Sequence, residues 1–137
     1  MPENKFNELK SVVSELREKC PWDKKQTFQS LRSLTIEEVY ELSDAIINEE
    51  AKEIEEEAGD LLLHVLFYAK LGEEKKLFSI NTIIEKLIKK LKERHPHIYG
   101  NLIVNSSEEV EANWEKIKKE KRHSKKTLSN ISSKIPP

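Results

Sequence analysis

Phe6, Leu9, Val12, Val13 and Leu16 recur at three- and four-residue intervals, which predicts an amphipathic first helix over residues 3–19. Pro21 ends it, and the segment CPWDKKQT (20–27) has no apolar period and reads as a loop. Phe28 to Ser33 fits a short helical turn, after which Thr35 stands where a cap would open a second helix over 36–48. There Ile36, Val39, Tyr40, Leu42, Ile46 and Ile47 spread over a broad arc. A third helix, over 51–72, begins acidic and then turns apolar nearly all round from Leu61 to Ala69, LLLHVLFYA. A helix apolar on every side must be covered on every side. With so few helices in the chain, the cover points to a second copy, so a homodimer or a dimer of dimers is expected. Ile83, Ile84, Leu87, Ile88 and Leu91 mark a fourth helix from an Asn81 cap to Glu93. Ser106-x-x-Glu109 has the form of a capping box opening a last helix through Arg122. The pattern therefore predicts an all-α fold, an antiparallel bundle of four to five helices assembling as a dimer. Residues 1–123 make its domain. From 124 to 137 the composition shifts to Ser, Asn and Pro without a period, which reads as a flexible tail or interdomain linker.

Composition supports this picture and narrows the partners. Of 137 residues, 36% are charged and only 3 are Gly, a profile of helices more than of strands and turns. The formal charge of −1 gives no global field that would draw nucleic acid or an anionic membrane. No apolar run reaches the ~18 residues needed to span a bilayer, and residues 1–10 lack a signal-peptide pattern. Cys20 is the sole cysteine, which fits a reducing compartment. A soluble, cytoplasmic protein is expected.

The chemistry concentrates between Thr35 and Leu62. Glu38 with Glu41, and Glu57 with Asp60, are carboxylate pairs three residues apart, so each pair points one way from its helix. Two helices joined by a tight turn near Asn48 would bring all four carboxylates to one place. Crowded like charges repel, and a carboxylate taken out of water is costly to keep ionised, so a cation should sit among them. All-oxygen donors suit a hard ion, Mg²⁺ or Mn²⁺, and not zinc or copper. Mg²⁺ usually takes part of its ligand set from substrate phosphates, so the site suggests phosphate chemistry. His64, four residues after Asp60, fits a packed neighbour of the site better than a ligand. A plainer reading makes Thr35-x-x-Glu38 a capping box and Glu53, Glu55, Glu56 and Glu57 the acidic start of a solvated helix. Against it, Ile54, Ala58, Leu61, Leu62 and Val65 interleave with Glu57 and Asp60, which sets that pair at the border of a buried face.

Lys90 and Arg94, one turn apart, could clamp a polyphosphate, although cations also suit a helix C-terminus. Trp114 and Lys118 share a helical face. Trp22, in a polar loop, serves either as an anchor into the core or as a stacking platform.

Taken together, CPWDKKQT (20–27), EEVYE (37–41), EAGDLL (57–62) and RHPHIYG (94–100) resemble the MazG family of nucleoside triphosphate pyrophosphohydrolases, and the likeness covers residues 6–122. The resemblance implies a dimeric all-α enzyme that cleaves an NTP or dNTP to the monophosphate and pyrophosphate with Mg²⁺. It implies Glu38, Glu41, Glu57 and Asp60 as metal ligands, with Glu38 or Glu41 also positioning the attacking water. Lys90 and Arg94 would bind phosphate and stabilise developing charge, while Trp114 and Lys118 would contact the substrate. Trp22, Asp23 and Gln26 would line the pocket. The ending TLSNISSKIPP is similar to the linker that joins two halves in tandem members, so the chain would be an N-terminal half. Two further readings stay open: a pyrophosphatase restricted to dUTP or dCTP, and a catalytically silent dimerisation or regulatory half.

Overall fold

The computed structural model describes residues 4–128, and the regular elements among them are all helices. In order they are α1 (Lys5–Lys19), α2 (Pro21–Lys24), α3 (Phe28–Ile47), α4 (Ala51–Glu74), α5 (Ile80–Arg94), α6 (Pro96–Tyr99) and α7 (Ser107–Leu128). The all-α expectation holds, but seven helices replace the predicted four to five, because α2 and α6 are single turns of 4 residues too short to carry a period. The last helix runs on to Leu128, and residues 129–137 of the expected tail lie outside the described residues. The described residues fall into two units, one ending at Ile80 and one beginning at Asn81.

In the first unit, Asn4 caps α1 by accepting from the Asn7 amide at 3.2 Å. Cys20 is extended, as the residue before a proline prefers, and Pro21 opens α2 at a position where its missing N–H costs nothing. The segment 20–27 is thus one helical turn with a short exit, not a plain loop. Thr27 then caps α3: it accepts from the Ser30 amide at 3.1 Å, and Ser30 Oγ accepts from the Thr27 amide at 2.8 Å. Helix α3 continues unbroken to Ile47, so the expected break at residues 33–35 is corrected. The cause is local. Thr35 bonds back to the Leu31 carbonyl at 3.0 Å from inside the helix instead of capping a new one.

Glu49, with φ 53°, turns the chain between α3 and α4 in the left-handed region. Its amide bonds the Ile46 carbonyl at 3.1 Å and that of Glu50 bonds Ala45 at 3.3 Å, the paired bonds of a Schellman ending. Lys76, φ 59°, closes α4 in the same manner. The two long helices form an antiparallel hairpin. Its far half is clasped by α1 around a core of Val13, Leu31, Leu66, Phe67 and Leu71. Gly72 lets the Phe78 ring lie directly on α4, where a Cβ would collide with it. The half of the hairpin nearest the turn leaves Ile36, Val39, Tyr40, Ile46, Ile47, Leu62 and Val65 exposed.

In the second unit, α5 is amphipathic and ends at Arg94 ahead of Pro96. Lys121 on α7 pairs with Glu93 on α5. Glu109 accepts from the Asn105 amide at 2.9 Å while its own amide bonds Ser106 Oγ at 3.2 Å, so the capping pattern read at 106–109 does open α7.

Candidate active site

The hairpin of α3 and α4 brings Glu38, Glu41 and Glu57 together: one oxygen from each lies within 4.8 Å of the others. Glu38 and Glu41 follow one another at three residues on α3, and α4, running back, presents Glu57 opposite them. The electrostatic consequence is large. Glu57 is pushed up to about 7 by loss of solvent, then by its hydrogen bond with Glu41 and the charges of Glu41, Asp60 and Glu38. Glu38 is raised as well, first by desolvation and then by Glu41 and Asp60. Oε2 of Glu38 and Oε2 of Glu57 are shielded from solvent and find no hydrogen-bond partner. Buried acceptors of this kind are nearly always satisfied in folded proteins. Three carboxylates in a shared space, two of them with unspent oxygens, fit a hard cation, since a cation would satisfy those oxygens and relieve the repulsion together.

Asp60 stands outside this trio, although its charge reaches Glu38, Glu57 and His64. His64 is turned the other way along the hairpin. Its Nδ1 lies 2.7 Å from Thr35 Oγ1, which also meets the Tyr68 hydroxyl at 2.5 Å. Sequence reasoning assigned Thr35 to a cap and so missed this link. Its two ends are 29 residues apart, and only the register of the hairpin reveals it.

The segment holding Trp22, Asp23 and Gln26 is fastened by Arg17, a residue that no motif singled out. Its guanidinium donates to the carbonyls of Asp23 at 2.7 Å, Lys24 at 2.8 Å and Gln26 at 3.1 Å. Gln26 is buried, with Nε2 donating to the Trp22 carbonyl at 2.8 Å and Oε1 accepting from Ser30 Oγ at 2.7 Å. Its amide is therefore engaged in holding the turn. Trp22 is 50% exposed, so it is not a fully buried anchor.

In the second unit the Arg94 guanidinium lies 5.5 Å from the centre of the Trp114 ring, and the His95 ring meets that indole edge-on at 4.8 Å. His95 Nδ1 donates to the Leu91 carbonyl at 2.6 Å. Arg94 Nε is buried without a hydrogen-bond partner. Lys90 is exposed one turn before Arg94, and Lys118 is half-buried one turn after Trp114.

Comparison with known proteins identifies the family. The family model for the MazG nucleotide pyrophosphohydrolase domain matches residues 26–99. A nucleoside triphosphate pyrophosphohydrolase of Escherichia coli is 39% identical over 97% of this chain and 53% of its own length. The nucleoside triphosphate pyrophosphohydrolase/pyrophosphatase MazG of Thermotoga maritima is 39% identical over 96% of this chain and 51% of its own. The uncharacterized protein YabN of Bacillus subtilis is 43% identical over 98% of this chain, which amounts to 28% of that protein. The chain thus spans about half the length of the curated pyrophosphohydrolases it matches, and less of YabN. The crystal structure of a MazG-related protein from Thermotoga maritima superposes with a TM-score of 0.70 at 26% identity, over 82% of this chain and 98% of that one. By its match over the carboxylate hairpin and the segment that follows, this chain belongs to the MazG nucleotide pyrophosphohydrolase domain family.

Proposed function

We propose that this domain hydrolyses nucleoside triphosphates, ribo and deoxyribo alike, to the monophosphate and pyrophosphate in a reaction that requires Mg²⁺, with Mn²⁺ as a substitute. The observation that carries the proposal is the trio of Glu38, Glu41 and Glu57 with two buried, unpartnered oxygens. Glu38, Glu41 and Glu57 hold the cation, and Asp60 adds its charge and a further oxygen. The cation supplies charge neutralisation of the polyphosphate and Lewis acidity. Glu41, the exposed member of the trio, is suited to orient a water and take its proton; Glu38 shares the position on α3. Lys90 and Arg94 bind phosphate oxygens and stabilise charge building on them. Trp114 and Lys118 contact the nucleotide, and Trp22 and Asp23 contribute from the α2 turn. The exposed apolar residues of α3 and α4 support assembly into a homodimer or a dimer of dimers, which light scattering tests directly. The same reading puts the protein in the cytoplasm, where such substrates are made.

Pyrophosphate release from a panel of NTPs and dNTPs with Mg²⁺ tests the function. Turnover of all bases supports the broad hydrolase. Turnover of dUTP or dCTP alone replaces it with a base-restricted enzyme. One second reading is a regulatory domain that binds cation without catalysis. Silence across the panel from folded, cation-binding protein would select it.

A further inference from the structure

One turn away from the acidic trio the hairpin carries a second polar layer. Thr35 precedes Glu38 by one turn on α3, and His64 follows Asp60 by one turn on α4. Because the helices run antiparallel, both lie at one level, between the carboxylates and the apolar core of Leu31, Phe67 and Leu71. Thr35 Oγ1 is the centre of this layer, 3.0 Å from the Leu31 carbonyl, 2.7 Å from His64 Nδ1 and 2.5 Å from the Tyr68 hydroxyl.

We propose that Thr35, His64 and Tyr68 are positioning residues for the cation site: their hydrogen bonds hold α3 and α4 at the separation where Glu38, Glu41 and Glu57 converge, and so set which divalent cation the trio accepts. The proposal rests on the reading that the trio binds such a cation. Hydrogen-bonding capacity orders the protons. The Leu31 carbonyl can only accept, so the Thr35 hydroxyl donates to it and keeps two lone pairs, one for the Tyr68 O–H and one for His64 Nδ1–H. This puts a proton on His64 Nδ1. Burial, which lowers its pKa against the pull of Asp60, favours the uncharged ring, so the Nδ1–H tautomer is the form that fits.

The layer has a mechanical task. Carboxylates facing each other across α3 and α4 push the helices apart whenever no cation lies between them. The ties from Thr35 to His64 and to Tyr68 cross from α3 to α4 next to that strain, and a linked knot of hydrogen bonds resists it. Mg²⁺ demands near-ideal octahedral geometry at short distance, whereas Ca²⁺ tolerates longer and more irregular coordination. A hairpin that splays should therefore lose Mg²⁺ first.

Titration calorimetry of Mg²⁺ and of Ca²⁺ into the full, EDTA-stripped chain tests this, with circular dichroism as a check of folding. Thr35→Val, which swaps the hydroxyl for a methyl, should weaken Mg²⁺ binding by about 10- to 100-fold, the usual range for groups that support ligands. Ca²⁺ binding should fall much less, so the ratio of the two affinities collapses. Thr35→Ser keeps the hydroxyl and should keep the ratio. Tyr68→Phe preserves the stack on Phe28 and should lower the ratio in the same direction. Folded Thr35→Val and Tyr68→Phe proteins with the unaltered ratio, including an equal loss for both ions, would overturn the proposal. If Thr35→Val does not fold, Tyr68→Phe decides alone. Absence of any divalent-cation binding by the unsubstituted chain would instead sink the functional reading itself, and is distinguished because it precedes every substitution.

Discussion

Arg17 and Glu74 meet as two parallel forks, Nε to Oε2 at 2.8 Å and Nη2 to Oε1 at 3.0 Å, joining α1 to the end of α4. The third nitrogen, Nη1, is the one that gathers the carbonyls of Asp23, Lys24 and Gln26, and the guanidinium lies 5.9 Å from the centre of the Phe67 ring. One side chain thereby fastens the α2 turn, with Trp22 on it, to the core. Lysine cannot reproduce this, because its ammonium is a single point with no planar fork. Arg17→Lys or Arg17→Ala should cost about 2–3 kcal/mol, the range for several charge-assisted bonds lost at once. Glu74→Gln should cost only about 0.5 kcal/mol, since the Glu74 side chain is 38% exposed. Glu74 is held below the usual carboxylate range, chiefly by its hydrogen bond from Arg17. Its contribution is therefore complete above the ordinary value of 4.5 and fades as pH falls through the lowered one. Urea unfolding of the two series at neutral and acid pH measures both effects.

The trio has the opposite pH dependence. Glu57 has its pKa raised from 4.5 to about 7, so between those values the folded chain binds a proton that the unfolded chain has already lost. Stability of the cation-free protein must then fall as pH rises across that window, and level off above it. Urea unfolding with EDTA from pH 4.5 to 8 should show the decline. Glu57→Gln should flatten it, because the amide carries no charge at either end. Saturating Mg²⁺ should restore stability most at the alkaline end, where Glu57 has lost its proton. A curve that rises through the window would contradict the arrangement of Glu38, Glu41 and Glu57.

Two side chains occupy backbone positions that suit glycine better. Glu49 and Lys76, at φ 53° and 59°, are the left-handed residues that end α3 and α4. A Cβ there costs about 1–2 kcal/mol, part of which glycine gives back by loosening the unfolded chain. Glu49→Gly and Lys76→Gly should each stabilise by roughly 0.5–1 kcal/mol. Since the sites lie at opposite ends of α4, the two effects should add. Thermal melts of the single and double variants provide the check.

Much of this was legible in the residue pattern because helices write themselves locally. The apolar period predicts α1, α4 and α5 with ends shifted by a few residues, the capping pattern at 106–109 predicts α7, and the two three-residue carboxylate steps predict that α3 and α4 share a site. The pattern failed where one local motif imitates another. Thr35-x-x-Glu38 has the spacing of a capping box, but Thr27 and Ser30 had already opened the helix, which freed the Thr35 hydroxyl for His64. Arg17 was invisible for a different reason. Its partners are three carbonyls, which every residue has, and a glutamate 57 positions away. Side chain identity carries no trace of such a clasp until the chain is folded. That Glu38, Glu41 and Glu57 converge without Asp60 is likewise something a spacing of three residues leaves open.

The make-up of the trio yields a ranking among the acidic residues. Glu41 has an oxygen within 4.8 Å of both Glu38 and Glu57, whereas Asp60 is not part of that trio and raises both by its charge. Glu41→Gln removes a donor from the centre of the trio and also takes away the partner that holds the Glu57 proton. It should abolish Mg²⁺-dependent pyrophosphate release and lower Mg²⁺ affinity by more than about 100-fold, as expected for loss of a direct charged ligand. Asp60→Asn keeps the trio intact, so its loss of affinity should be smaller, nearer to about tenfold. Both proteins should retain their helical content, because neither carboxylate contributes to the core of Val13, Leu31, Leu66, Phe67 and Leu71. Calorimetric Mg²⁺ titration beside circular dichroism gives the order directly. If Asp60→Asn proved the more damaging of the two, the cation would have to sit toward α4 with Asp60 drawn in as a full ligand, and Glu41 would be left to orient water alone.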